Sequence, residues 1–207
     1  MSQINNGIRS ILSIPAVYGL FGKLIGGSHS GTTLVKEYIR PKAGDKLLDI
    51  GCGPGDILRY LPENVEYTGF DASHQYIEAA QKRYGNRATF ICEQVNTTNL
   101  KEHSHFDIVL AIGVLHHLED AEALQLFKIA HAALKNGGRL ITMDGVFMEK
   151  QSPIARWIIS KDRGQNVRTQ EGYLELASQV FPNISNDIRH NLLRIPYTHF
   201  ILECTNK

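Results

Sequence analysis

The feature that most limits what this chain can become is a short apolar run that stops at a cluster of glycines, between Lys46 and Asp56. Leu47, Leu48 and Ile50 read as a strand buried on both faces, and the run ends abruptly at Gly51. Glycines then stand at alternate positions, Gly51, Gly53 and Gly55, giving a bend free of Cβ atoms in which backbone N–H groups can turn toward a bound group. A strand that ends in such a bend and leads into a helix belongs to α/β proteins, with a ligand at the strand's tip. The dinucleotide fingerprint G-x-G-x-x-G needs a third glycine where this chain has Asp56. An acidic side chain there would repel a pyrophosphate from the positive start of the helix, so a ligand with a ribose and a positively charged or zwitterionic tail fits better.

The rest of the chain predicts alternating strands and helices. A helix over about Thr32 to Ile39 precedes the first strand, and a short helix carrying Ile57, Leu58 and Leu61 follows the bend and is closed by Pro62. The second strand is predicted over 65–70 with Asp71 at its end; Ser73 caps the next helix and Gly85 stops it. Strand, helix, strand is a crossover unit, so these two strands should run parallel. A third strand is expected at Thr89 to Cys92 and a fourth, apolar almost throughout, at Phe106 to Ile112. Asp120 begins a helix with Leu124, Phe127, Ala130 and Leu134 at helical spacing, ended by Asn136-Gly137-Gly138, and a fifth strand runs from Arg139 to about Asp144. The segment 146–169 shows no clear period. A helix over Gln170 to Phe181 and two closing strands, about Ile184 to Asn191 and Tyr197 to Cys204, complete the pattern.

Motif I of the class I S-adenosylmethionine-dependent methyltransferases has the form acidic-x-G-x-G-x-G, and Asp49-Ile50-Gly51-Cys52-Gly53-Pro54-Gly55 resembles it at every defined position. Phe106 to Leu118, an FD-apolar run ending in Leu115-His116-His117-Leu118, is similar to family motif IV. Leu134-Lys135-Asn136-Gly137-Gly138-Arg139-Leu140 is similar to the turn before the family's fifth strand. The resemblance covers roughly residues 35–205. It implies an α/β, doubly wound, seven-stranded and mostly parallel sheet of order 3-2-1-4-5-7-6 with strand 7 antiparallel, the Rossmann-like methyltransferase fold. It also implies S-adenosylmethionine as cofactor, with S-adenosylhomocysteine as product. Residues 1–30, with apolar positions broken by Pro15 and by Gly26-Gly27, read as an N-terminal helical lid or a surface helix, and 31–207 as the methyltransferase domain.

On that resemblance the cofactor would be held by Asp49, Gly51, Cys52, Gly53, Gly55, Asp71, Ala72, Gln94, Ala111 and Ile112, with Tyr18 from the lid. Asp71 can accept both ribose hydroxyls or, alternatively, cap the amides of the helix that follows it. Gln94 stands near where the family commonly has an acidic residue, and its carbonyl oxygen can accept from the adenine amino group. His116 and His117 are candidate general bases, with packing or capping as the other reading. Phe21 of the lid and Arg156, Trp157 and Arg168 beyond the fifth strand are candidate substrate walls; the basic residues either face the pocket, favouring a carboxylated or phosphorylated acceptor, or form a solvated helix face.

Composition removes several classes. At 207 residues with a net charge of +1, the chain offers one domain and no basic field for nucleic acid. No run of 18 apolar residues offers a membrane span. Three scattered cysteines, Cys52, Cys92 and Cys204, read as reduced thiols of a cytoplasmic protein. No histidine cluster has a recognised zinc spacing, so no metal is expected. The sequence thus predicts a methyltransferase that transfers a methyl group to oxygen or nitrogen of a small molecule, as a monomer or homodimer, without nucleic acid. A non-catalytic cofactor-binding protein and a nucleotide-cofactor oxidoreductase on a similar sheet remain the alternatives.

Overall fold

The structure, a computed structural model, describes residues 27–96, 100, 106–162 and 164–206. Helix α1 (Gly27–Thr33) continues as a wider π-type turn over Leu34–Ile39, which Arg40 ends in the left-handed conformation at φ 46°. The helix expected from Thr32 therefore begins earlier. Leu34, Val35 and Ile39 bury its inner side against the sheet.

Strands β1 (Lys46–Ile50) and β2 (Glu66–Phe70) are parallel, with Leu48 opposite Thr68, and α2 (His74–Tyr84) crosses between β2 and β3 (Thr89–Ile91). Ser73 caps α2 by accepting from the Tyr76 amide, and Gly85 ends it at φ 53°. Strand β4 (Phe106–Ile112) pairs parallel with the other side of β1 and with β5 (Leu134–Gly145), which follows α3 (Asp120–Ala133). Helix α3 starts on Glu119, whose amide donates to the Glu122 carboxylate at 3.2 Å.

Strand β5 begins five residues before the expected Arg139, because Phe106 pairs with Leu134 and Ile108 with Arg139, so Lys135 to Gly138 bulge out of the ladder. Beyond it lie α4 (Pro153–Ser160), α5 (Gln170–Ser178), β6 (Asn183–Arg189) and β7 (His199–Thr205). Helix α4 falls in the stretch that showed no period. The sheet order is β3-β2-β1-β4-β5-β7-β6, with β7 antiparallel to both neighbours, as the family resemblance implied.

Both faces of the sheet are covered, which explains why β1 and β4 are apolar without alternation. On one face Leu48, Val109, Leu140 and Leu202 pack with Phe127 of α3 and Tyr173 of α5; on the other Leu47, Ile108, Leu110 and Ile201 pack with Ile39, Leu58 and Ile77. With helices on both faces, the open ground is at the carboxyl ends of the parallel strands. There the order turns outward from β1 to β2 on one side and β4 on the other.

Candidate active site

The bend after β1 holds Gly51, Gly53 and Gly55 at φ 74°, 53° and 71°, a conformation that disfavours any other residue. Each has a different neighbour. A Cβ on Gly51 would lie 2.7 Å from Val114 Cγ2, so the bend is pressed against the loop leaving β4; one on Gly55 would crowd Phe90 and Tyr84 at 3.1–3.2 Å. A Cβ on Gly53 would meet no atom within 4 Å, which makes Gly53 the open lip of the bend.

The N–H groups expected to face a ligand are instead used within the chain. Gly51 and Cys52 both donate to Phe70 O (2.8 and 3.0 Å), Gly55 donates to Cys52 O (3.0 Å), and Gly53 donates to Asp71 Oδ2 at 2.9 Å. These four amides are therefore engaged within the chain and do not themselves form a cradle for a pyrophosphate. Cys52 also turns its side chain inward, beside Gly69, and burial pushes its thiol well up, so it serves the turn and offers no nucleophile.

Two carboxylates flank the bend. Asp49 is buried in β1 and accepts from Tyr67 Oη at 2.6 Å. Burial pushes its carboxyl up to about 7 against the Tyr67 hydrogen bond, and the charge of Asp71 adds to the rise. Asp71, at the end of β2, accepts one amide on each oxygen, Gly53 at 2.9 Å and Ser73 at 2.8 Å. Both readings of Asp71 are thus compatible, since each oxygen keeps a second acceptor site. Ala72 is exposed beside it, Gln94 is exposed just past β3, Ala111 is buried within β4, and Ile112 at the β4 end is half-buried.

At the ends of β4 and β5 the structure assembles a cluster that the sequence did not reveal. His116, buried in a short turn over Leu115–His117, places Nδ1 2.7 Å from Asp144 Oδ1 and Nε2 3.6 Å from Asp162 Oδ1. Burial alone would lower its affinity for a proton, but the hydrogen bonds and charges of Asp144 and Asp162 outweigh that and push it up to about 10. Tyr197 donates to Asp162 Oδ2 at 2.8 Å, Gly164 donates to Asp162 Oδ1 at 3.3 Å, and Asn166 donates to His116 O at 2.9 Å. His116 is thereby a fastener between β4, β5 and the segment after α4. With a carboxylate at each ring nitrogen, His116 is placed as the packing reading of the two open from sequence would have it. His117, half-buried, has its ring 4.1 Å from that of His116.

The candidate substrate walls divide. Arg168 uses all five N–H donors: Nε and Nη2 on Asp120, Nη1 on Leu115 O and Asn166 O, and Nη2 again on Leu118 O. It holds the turn that carries His116 and has no donor left for a substrate anion. Arg156 lies over the Phe147 ring at 5.2 Å, and Trp157 is exposed on α4. Tyr18 and Phe21, with the rest of the expected lid up to residue 26, lie outside the described residues. Among the described residues no group of three His, Cys, Asp or Glu side chains is placed to hold a metal ion, and no helix is long and apolar enough to cross a membrane.

The sheet order, with its glycine bend at one strand tip and a carboxylate at the next, is that of the class I methyltransferases. Residues 48–140 match a family described as methyltransferase domain. It is 30% identical over 101 residues to the ubiquinone biosynthesis O-methyltransferase of Idiomarina loihiensis, covering 47% of this chain and 41% of that protein. It is 29% identical over 154 residues to phosphoethanolamine N-methyltransferase 3 of Arabidopsis thaliana, covering 70% and 31%. The chain thus spans less than half the length of these curated relatives. Its fold superposes on the plantazolicin methyltransferase BamL, solved with a triazolic desmethylPZN analogue and S-adenosylhomocysteine, with a TM-score of 0.68 at 16% identity, covering 98% of this chain and 92% of the other.

Proposed function

We propose that this chain transfers a methyl group from S-adenosylmethionine to oxygen or nitrogen of a small molecule. The observation that carries the reading is the corner at Gly53. Its Cα faces open space, its amide is tied to Asp71, and the Asp71 carboxylate keeps acceptor capacity on both oxygens. Such a corner suits a ribose and a cation and repels a phosphate, which separates the reading from a dinucleotide enzyme. The relatives named above methylate oxygen in one case and nitrogen in the other by their names, and BamL was solved with the demethylated cofactor.

When bound, the cofactor supplies a methyl group on a sulfonium, an electrophile that needs no covalent help from the protein. The chain's own share is placement. Asp71 would hold the ribose hydroxyls, Gly53 leaves room for the amino-acid end, and the fastened segment after α4 walls the acceptor side. Holding donor and acceptor in line supplies most of the acceleration such a reaction needs. For an acceptor that must lose a proton, His117, half-buried with its ring 4.1 Å from that of His116, is the candidate general base.

The test is calorimetric titration with S-adenosylhomocysteine, followed by a methyl-transfer assay on phenols, catechols and amines. Saturable binding that weakens in Asp71→Ala supports the reading. No binding sinks it, and binding with no transfer to any acceptor points to a non-catalytic cofactor-binding protein.

A further inference from the structure

A hollow of about 320 Å³ lies between α4 and the segment that follows it, lined by Phe147, Ile159, Ser160, Asp162, Gln165 and Val167. It stands at the ends of β4 and β5, on the same edge of the sheet as the glycine bend. That is the side on which an α/β sheet receives its ligands. Phe147, Ile159 and Val167 give it an apolar side, Ser160 and Gln165 a polar one, and Asp162 is the one charged side chain among its described lining residues. A larger hollow of about 500 Å³ between α3 and α5 has no strand end among its walls.

Asp162 belongs to both the hollow and the cluster around His116. Its carboxylate is held in place by Tyr197 Oη and the Gly164 amide, and its side chain retains 25% exposure. Counting the cluster, the Asp144 and Asp162 carboxylates face one His116 imidazolium, which leaves a net negative charge. Asp144 Oδ2 is buried with no hydrogen-bond partner among the described residues. Among the described residues, Arg168 has every N–H engaged elsewhere, and Arg156 lies over the Phe147 ring at 5.2 Å with Nη1 on Met148 O and is not among the lining side chains.

We infer that this hollow is the acceptor subsite, and that it takes a small, largely apolar molecule carrying a cationic ammonium group, anchored on Asp162. The inference rests on the methyltransferase reading for the word acceptor, but the binding itself does not. Of the two sequence readings of the basic residues it stands against the one that favours a carboxylated or phosphorylated acceptor, because the described lining presents a fixed carboxylate and no guanidinium. The apolar walls supply contact area, and the carboxylate supplies direction and the sign of charge.

Benzylamine and benzoate, equal in size and opposite in charge, are the probes, with isotope-labelled protein followed by NMR. Benzylamine is expected to perturb the methyl groups of Ile159 and Val167 saturably, to bind roughly tenfold or more weakly to Asp162→Asn, and to outcompete benzoate by a similar factor. Benzoate binding as well as benzylamine, perturbation confined to other regions, or unchanged affinity in Asp162→Asn each overturns the inference. If circular dichroism shows Asp162→Asn unfolded, Val167→Phe decides, since it narrows the hollow and keeps the carboxylate: loss of benzylamine binding supports the subsite and retention refutes it. S-adenosylhomocysteine is titrated into the same samples. A protein that binds it and ignores benzylamine refutes the subsite alone; one that binds benzylamine and not S-adenosylhomocysteine refutes the cofactor reading alone.

Discussion

Replacing His116 by leucine would remove a buried imidazolium and leave its two carboxylate partners behind. Asp144, 3% exposed, would keep only the His116 backbone amide at 3.2 Å, and Asp162 would keep Tyr197 and Gly164. Deleting one partner of a buried pair costs about 3–5 kcal/mol, because the stranded charge is the expensive part. With a urea slope on the order of 2 kcal/mol per M, the unfolding midpoint falls by roughly 1.5–2.5 M. The effect has a pH signature of its own. The folded chain holds the His116 proton up to about 10, whereas an unfolded histidine releases it at 6.5, so this contribution is complete below 6.5 and is lost as pH rises toward 10. Over that window the gap between parent and variant narrows at up to about 1.4 kcal/mol per pH unit. His199 acts at the other end: burial lowers it from 6.5 to about 4, so its neutral form is favoured and stability drops as pH falls through that range. Urea titrations of parent, His116→Leu and His116→Leu with Asp144→Asn between pH 6 and 10 measure all of this. A gap below about 1 kcal/mol at pH 6.5, or one that stays constant to pH 10, refutes the imidazolium clasp, as does a second substitution that restores nothing.

The glycine bend separates folding from binding. Gly51→Val drives a branched side chain into Val114 at φ 74° and should destabilise the fold itself, whereas Gly53→Ala costs only about 1–2 kcal/mol of backbone strain yet fills the open lip; calorimetry should find the second variant folded and unable to bind S-adenosylhomocysteine, and normal affinity there refutes the placement. Arg168→Met strips the donors from Leu115 O and Leu118 O and should cost on the order of 3 kcal/mol, with faster amide exchange across 115–118; an unchanged melting temperature would show that the clamp is idle. Asp49, raised to about 7, should release part of a proton when a cation settles near it, so the binding enthalpy at pH 6–7 should depend on the buffer's ionisation enthalpy, and Tyr67→Phe should move that window upward; a buffer-independent enthalpy speaks against it.

What the sequence disclosed and what it withheld divide along chain distance. The bend, the Asp49 carboxylate and Asp71 lie within one crossover unit, so glycine spacing and the end of an apolar run were enough to find them. The parallel pairing of the first two strands followed from the same crossover unit, while the full strand order came with the family resemblance that these motifs carry. His116, Asp144, Asp162 and Tyr197 come from four separate segments joined only by folding, and no residue spacing encodes them. Asp144 did carry a faint signal, as a carboxylate closing an apolar strand at the ligand edge of the sheet. Helix α4 was also readable in retrospect, since Ser152-Pro153 is a helix start followed by Ile154, Ala155, Ile158 and Ile159 at helical spacing. The basic residues around it drew attention from that pattern. Their sign suggested an anion pocket, although Arg168 is spent entirely on carbonyls and Asp120.

The distribution of charge at this edge also says which kinetic constant each acidic residue should govern. In a methyl transfer from a sulfonium to a neutral acceptor, positive charge is spread across the reacting atoms and not destroyed, so a carboxylate holding the ribose makes the same contact before and during the reaction. Interactions of that kind are uniform: they lower KM and leave kcat alone, while kcat is set by how well the acceptor is aligned. On the proposed function Asp71 would be such a group, its two oxygens being fixed by the Gly53 and Ser73 amides. Asp71→Asn keeps one acceptor oxygen and loses the charge, so roughly 1–3 kcal/mol of cofactor affinity should vanish, a rise of about 5- to 150-fold in the cofactor KM. Initial rates at saturating cofactor should then match the parent within a small factor. A kcat that falls as far as kcat/KM would mean that Asp71 acts only in the transition state, a role this contact with the ribose has no means to produce.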